Sequence, residues 1–306
     1  MRAAVVAAPG KARLKQVPAP VPGPGQILLR VEGCGVCGSN LPVWTGNAAA
    51  YPLRPGAPGH EAWGRIEVVG EGVTGVTVGE RVAALTFNSF AEYDIASADA
   101  VVPLPEELEG TPVPAEALAC AVNVFRRSDV LPGSSVGIVG IGFLGALLTQ
   151  LAAAAGARVI AFSRRDSARK VALAAGAGEA LPLDAHGRDE TCDVVIEAAG
   201  VQETLDLASR LTRTRGRLVV AGFHQDGPRQ VDMGLWNWRG LDVVNAHERD
   251  PAVYVDGMRE AIRAVADGRM TPDPLYTHTF PLDRLADAFE AARAREDGFM
   301  KALVLV

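Results

Sequence analysis

Cys37 stands in the run Gly35-Val36-Cys37-Gly38-Ser39-Asn40, and His60-Glu61 close the run Pro58-Gly59-His60-Glu61. Together they offer a thiolate, an imidazole and a carboxylate, a donor set suited to zinc with one position left open. Further on, Gly140-Ile141-Gly142-Phe143-Leu144-Gly145 has the spacing of a turn that meets a dinucleotide pyrophosphate. A metal that polarises an oxygen, beside a cofactor that exchanges hydride, equips an alcohol or carbonyl oxidoreductase. No other single reading uses all three motifs.

The glycine turn needs a strand before it and a helix after it. Val136-Gly137-Ile138-Val139 reads as a buried strand, an Ala/Leu-rich helix follows, and a second strand over 158–162 completes the βαβ unit. Gly140, Gly142, Phe143, Leu144 and Gly145 are therefore cofactor-binding candidates, with the helix N-terminus facing the phosphates. An NAD site places an acid at the end of the second strand to hold the ribose hydroxyls. Here that strand ends in Ser163-Arg164-Arg165, two guanidiniums where a 2′-phosphate would lie, so NADP(H) is expected over NAD(H). Asp166 is the counter-argument. Gly222 and the following His224-Gln225-Asp226-Gly227 end a later strand and are expected near the nicotinamide.

The 306 residues suffice for two domains with buried cores, and 48% hydrophobic with 22% charged residues is ordinary for a globular chain. A net charge of −6 without basic runs points away from nucleic acid. No apolar stretch approaches the roughly 18 residues of a membrane helix, and the N-terminus runs straight into a strand-like segment, so a cytoplasmic protein is expected. Four cysteines are too few for a disulfide scaffold. Cys34 and Cys37 form a Cys-x-x-Cys pair, but flanking glycines and the lack of a second pair disfavour a redox dithiol or a zinc knuckle.

Residues 1 to about 115 carry β and turn signals, with strands over 3–8, 26–33, 62–70 and 81–84, as in a partly closed barrel. From about Glu116 the pattern alternates apolar strands (135–139, 158–161, 193–197, 217–221) with helices (145–155, 168–174, 203–210). That is the pattern of a parallel sheet covered on both faces. A helix over 252–266, another over 282–294 and a final strand over 301–306 complete the chain. The expected class is α/β: a barrel-like catalytic domain over 1–121, completed by about 270–306, and a doubly wound dinucleotide domain over 122–269.

The chain resembles the zinc-containing medium-chain dehydrogenase/reductase superfamily, which includes alcohol, polyol and threonine dehydrogenases. The likeness runs from Pro22-Gly23-Pro24-Gly25-Gln26-Ile27-Leu28 to the last strand. Its most specific parts are Gly35–Ser39, Pro58–Glu61, Val78-Gly79-Glu80-Arg81-Val82 and the glycine turn. It implies a GroES-like barrel plus a Rossmann domain. It also implies that Cys37 and His60 are zinc ligands, with Glu116 as the third where polyol-dehydrogenase relatives carry a glutamate. Glu61 would approach the metal or sit just behind it. Cys120, one helical turn beyond Glu116, is the competing third ligand, and Cys34 reads as filling.

Three departures from the family pattern matter. Asn40 replaces the usual Asp that orients the histidine ligand, and its amide oxygen is expected to take over that bond. Pro42 stands where alcohol dehydrogenases continue a proton relay with histidine, so a relay must end at Ser39 and the cofactor ribose, or use water. Thr86-Phe87-Asn88-Ser89-Phe90 bridges a site where relatives carry a four-cysteine lobe, so one catalytic zinc and no structural zinc is expected. The resemblance implies reversible hydride transfer between NADP(H) and a secondary alcohol/ketone or polyol-type substrate, in a homodimer by default. Trp44, Trp63, Phe87, Asn88 and Asn123 are pocket candidates by position, and residues 236–239 and 245–249 are candidate cofactor or dimer contacts. Two competing readings are a non-catalytic NADP(H)-binding redox sensor and a zinc-free enone or quinone reductase of the same superfamily; the Cys37, His60 and Glu116 set argues against both.

Overall fold

The computed structural model describes residues 1–48 and 50–306. In chain order it contains β1 (Arg2–Ala8), β2 (Lys11–Gln16), β3 (Gln26–Gly35), α1 (Asn40–Thr45), β4 (Glu61–Val69), β5 (Arg81–Leu85), β6 (Tyr93–Ser97), β7 (Val101–Pro103) and α2 (Ala115–Ser128). Then come β8 (Ser135–Val139), α3 (Phe143–Ala154), β9 (Arg158–Phe162), α4 (Asp166–Ala174), β10 (Glu179–Leu181), β11 (Cys192–Glu197), α5 (Gln202–Leu211) and β12 (Thr212–Val220). The chain ends with α6 (Met233–Arg239), β13 (Asp242–Asn245), α7 (Pro251–Ala266), β14 (His278–Pro281), α8 (Leu285–Ala294) and β15 (Ala302–Leu305).

Two compact units result. The first comprises Met1–Ala119, Asp250–Ala266 and Asp273–Val306; the second comprises Cys120–Arg249 and Asp267–Pro272. The sequence reading placed residues 250–266 in the dinucleotide domain, whereas α7 falls with the first unit. Its amphipathic pattern announces a helix but not the surface that covers its apolar face.

In the first unit a sheet runs β14-β15-β3-β4-β5-β7, with β6 also paired to β3. The C-terminal strand returns to the barrel as expected, Leu303 opposite Gly35. One apolar cluster is built around Trp44, Phe90 and Phe289, with Phe289 against Trp44 at 5.1 Å and edge-on to Phe90 at 5.5 Å. A second gathers Ile27, Leu29, Ile66 and Val82. The short bridge after β5 is closed by polar contacts: buried Asp94 accepts from Asn88 N–H, the Ser89 hydroxyl and its neighbour Ile95 N–H, each at 2.8 Å.

In the second unit six strands lie in the order β10-β9-β8-β11-β12-β13, all parallel. Near-continuous Val and Ile on β8 and β11 bury both faces, as a helix-covered sheet requires. Chain order reverses between β8 and β11, where an open parallel sheet leaves a crevice for ligand at its carboxyl ends.

Candidate metal centre and dinucleotide site

Strand pairing explains how the candidate metal-ligating residues meet. The end of β3 lies antiparallel to the start of β4, Gly35 opposite Glu61, and β15 lies on the other side of β3. Cys37 just past β3, His60 and Glu61 at the head of β4, and Lys301 just before β15 are thereby brought to one place. One ligand atom from each of Cys37, His60 and Glu61 lies within 4.8 Å of the other two, the one such cluster among the described residues.

Each member is held. His60 Nδ1 lies 2.9 Å from Pro58 O, and a carbonyl only accepts, so Nδ1 carries a proton and Nε2 is the nitrogen that could ligate a metal. Burial works to lower the His60 pKa, but a hydrogen bond to Cys37 and the negative charges of Cys37, Glu116 and Glu61 carry it up to about 10. A cation is therefore favoured in this spot, whether proton or metal. Glu61 is 1% exposed; its Oε1 accepts from Lys301 Nζ at 2.6 Å. Its Oε2 is also ion-paired with that ammonium, at 2.5 Å. A buried anionic oxygen with spare lone pairs beside a sulfur and an imidazole nitrogen fits zinc.

Glu116 is outside that closest triad but acts on it. Burial raises its pKa to about 7, with Glu61 adding to the rise, while His60, Lys301 and a hydrogen bond with Tyr254 oppose it. Cys120 falls in the second unit, outside the cluster. Cys34 is fully buried, and burial first, then Glu61, pushes its thiol well above the ordinary range, as befits core filling.

Asn40 corrects an expectation. Its Oδ1 accepts from Cys37 N–H at 2.9 Å and its Nδ2 donates to Pro58 O at 3.1 Å. Its side-chain hydrogen bonds go to these two groups and not to His60, clamping the Cys37 loop to the carbonyl that orients His60. Ser39 is half-buried at the start of α1, two positions from Cys37. Trp44 and Trp63, each 2% exposed, are core residues instead of pocket lining: Trp44 donates to Glu290 at 2.6 Å, and Trp63 fills the space left by Gly33. Phe87 is 76% exposed. Asn123 is buried with both amide atoms unpartnered.

Lys301 escaped the sequence reading, because its partner lies across the sheet. Burial works against its charge, yet Glu61, Cys37 and Glu116 together hold its pKa above the usual lysine value. Gly35 makes room for the pair: a Cβ there would sit 1.8 Å from Glu61 Oε2.

In the second unit Gly140 (φ +99°) begins the turn between β8 and α3. A Cβ on Gly145 would lie 2.1 Å from Gly140 O, so helix and turn touch through backbone; at Gly142 a Cβ would meet nothing. Phe143 and Leu144 open α3, presenting its N–H groups to the turn. Ser163 is buried at the end of β9, Arg164 is exposed and Arg165 is half-buried. Arg169, unremarked in the sequence, joins them: it donates to Ser163 O at 2.8 Å and Arg164 O at 3.1 Å and pairs with Asp166. The acid that argued for NAD is thus engaged by a guanidinium. Gly222 packs on Gly200, where its Cβ would lie 2.2 Å from Gly200 N. In α6, Trp236 donates to Ser209 Oγ at 3.1 Å and Arg239 caps the carbonyl end of α5, giving both structural roles.

Residues 23–106 match the model of the alcohol dehydrogenase GroES-like domain and 144–265 that of the zinc-binding dehydrogenase. An alcohol dehydrogenase of Rhizobium meliloti (strain 1021) is 30% identical over 73% of this chain and 77% of its own. A sorbitol dehydrogenase of Gallus gallus is 27% identical over 96% and 94%. A solved structure described as a zinc-binding dehydrogenase from Sinorhizobium meliloti 1021 bound to NADP superposes with a TM-score of 0.89 at 26% identity, covering 100% of this chain and 99% of that one.

Proposed function

This chain belongs to the zinc-binding alcohol dehydrogenase family and is an oxidoreductase of the alcohol dehydrogenase type, and on that premise we propose that it moves hydride reversibly between NADP(H) and a secondary alcohol/ketone or polyol-type pair. The observation that carries the reading is the convergence of Cys37, His60 and Glu61. When bound, zinc supplies Lewis-acid polarisation of the substrate oxygen and the dinucleotide supplies or accepts the hydride.

The chain's own residues do the rest. Cys37 and His60 hold the metal, with Glu116 as third ligand and Glu61 close behind, its charge shared with Lys301. Asn40 fixes the Cys37 loop and, through Pro58 O, the imidazole orientation. Ser39 passes the proton released from the hydroxyl. Arg164, Arg165 and Arg169 take the 2′-phosphate, and the glycine turn with the head of α3 takes the pyrophosphate. The relatives named sorbitol dehydrogenase support a polyol-type substrate.

We assign one zinc per chain and work in the cytoplasm. None of the four cysteines is in a disulfide, and no helix among the described residues is long and apolar enough to cross a membrane. A second copy is assigned to the β13 edge and α6, a helix without a buried residue whose Trp238 is 91% exposed. The test of the activity is NADPH oxidation by the zinc-loaded protein against ketones and ketoses, with NADH in parallel. Turnover with NADPH in preference to NADH supports the reading; no turnover across the panel in either direction overturns it.

A further inference from the structure

The carboxyl ends of β11 and β12 carry a buried polar chain that the hydride chemistry itself does not use. Glu197, the last residue of β11, has no exposed surface. Its Oε1 accepts from Ala199 N–H (2.9 Å), Gly200 N–H (2.7 Å) and the Thr204 hydroxyl (2.7 Å). Its Oε2 lies 3.1 Å from His224 Nε2. On the other side of the ring, Arg229 Nε donates to His224 Nδ1 across 2.8 Å, and Arg229 Nη2 donates to Gly200 O at 2.7 Å. A guanidinium has no acceptor, so Nδ1 is the bare nitrogen and Nε2 gives its proton to Glu197. His224 is thereby locked as one neutral tautomer between a carboxylate and a guanidinium.

Topology says what this chain of bonds faces. The glycine turn follows β8, and Arg164, Arg165 and Arg169 cluster after β9, on one side of it. A dinucleotide with its pyrophosphate over β8 and its 2′-phosphate over β9 must carry its other half the opposite way, over β11 and β12 at about 4.8 Å per strand. The loops there are packed backbone on backbone: a Cβ on Gly222 would lie 2.2 Å from Gly200 N, and one on Gly200 would lie 2.7 Å from Phe223 O. Gln202 and Gln230 add a reciprocal pair, Nε2 to O at 2.8 Å and N to Oε1 at 2.9 Å.

We propose that His224 is a positioning residue for the nicotinamide half of the cofactor: as a neutral bridge from Glu197 to Arg229 it sets the loop over 222–230 against Gly200. The inference rests on the reading of the second unit as an NADP(H) site. The charged groups facing the ring are Glu197 from β11, and Arg229 and Asp226 from its own loop.

The test compares NADPH with 2′,5′-ADP, which lacks the nicotinamide half, by calorimetric titration of wild type, H224Q and R229Q. Expected are NADPH affinities lowered roughly tenfold in both variants, the loss one buried hydrogen bond implies, with 2′,5′-ADP affinity unchanged. Unchanged NADPH affinity, or equal weakening of both ligands, overturns the positioning role while the cofactor reading stands. R229Q, on an exposed loop, answers the question if H224Q does not fold. Failure of wild type to bind either ligand removes the cofactor reading and this inference with it.

Discussion

The metal cluster and the dinucleotide turn are built on opposite principles. The cluster is made of side chains: Cys37, His60, Glu61, Glu116 and Lys301 converge from separate elements, and each charge is tolerated because the others are present. The turn is made of backbone: six consecutive residues whose shape depends on missing Cβ atoms. The first should therefore fail when a charge changes, the second when a methyl group is added.

The largest expected effect breaks the cluster alone. His60→Ala or Cys37→Ala should reduce turnover to assay background while NADPH affinity, measured by fluorescence titration, stays at the wild-type value. Turnover surviving in either variant would dissolve the distinction between a chemical site and a holding site.

Next comes Lys301→Met, which strands the buried Glu61 carboxylate. A cost of about 3–5 kcal/mol is expected from urea unfolding of the zinc-free protein, and Glu61→Gln in the same chain should recover part of it. A loss no larger than that of a surface ion pair would mean that Glu61 does not depend on its partner.

Methyl groups probe the turn. Gly145→Ala must push on Gly140 O, so a stability loss of about 1–3 kcal/mol is expected with weakened NADPH binding. Gly142→Ala has open space and should leave the melting temperature unchanged, so any loss of NADPH affinity there reports contact with the pyrophosphate. Equal melting losses in the two variants would contradict the packing described.

The pH dependence sharpens the comparison further. With a His60 pKa of about 10 in the zinc-free fold, raised from 6.5, the imidazole is protonated at neutral pH. Its contribution to zinc-free stability is full below pH 6.5 and is lost as pH rises through about 10. Zinc must displace that proton, so zinc affinity should rise with pH by about tenfold per unit for each proton released, ~1.4 kcal/mol. Competition titrations between pH 6 and 8 would show it, and dinucleotide-turn variants should leave this slope unaltered. A flat profile would place the proton elsewhere.

Legibility in the sequence followed the same division. The glycine turn is local, so six adjacent residues with a strand before and a helix after announce it, and Cys37 and Gly59-His60-Glu61 are local in the same way. What stayed hidden was every partner supplied by long-range pairing. Lys301 reaches Glu61 only because β15 lies beside β3, and Tyr254 reaches Glu116 from α7, which the sequence pattern places in the dinucleotide domain but the fold packs with the first unit. Asn40 was legible as a brace, but not the bond it makes, since choosing between His60 and Cys37 N–H needs loop geometry. Trp44 and Trp63 lie near motif residues in sequence and turn inward because Phe289 and Gly33 leave the space for them.

Zinc per chain, by elemental analysis of protein purified without added metal, tests the central claim most directly, read alongside the same measurement on His60→Ala. The account predicts about one zinc per wild-type chain, as a single catalytic site requires, and loss of that zinc in the variant. Wild-type protein without zinc that takes up none when it is supplied, or a variant that keeps its full complement, would contradict it.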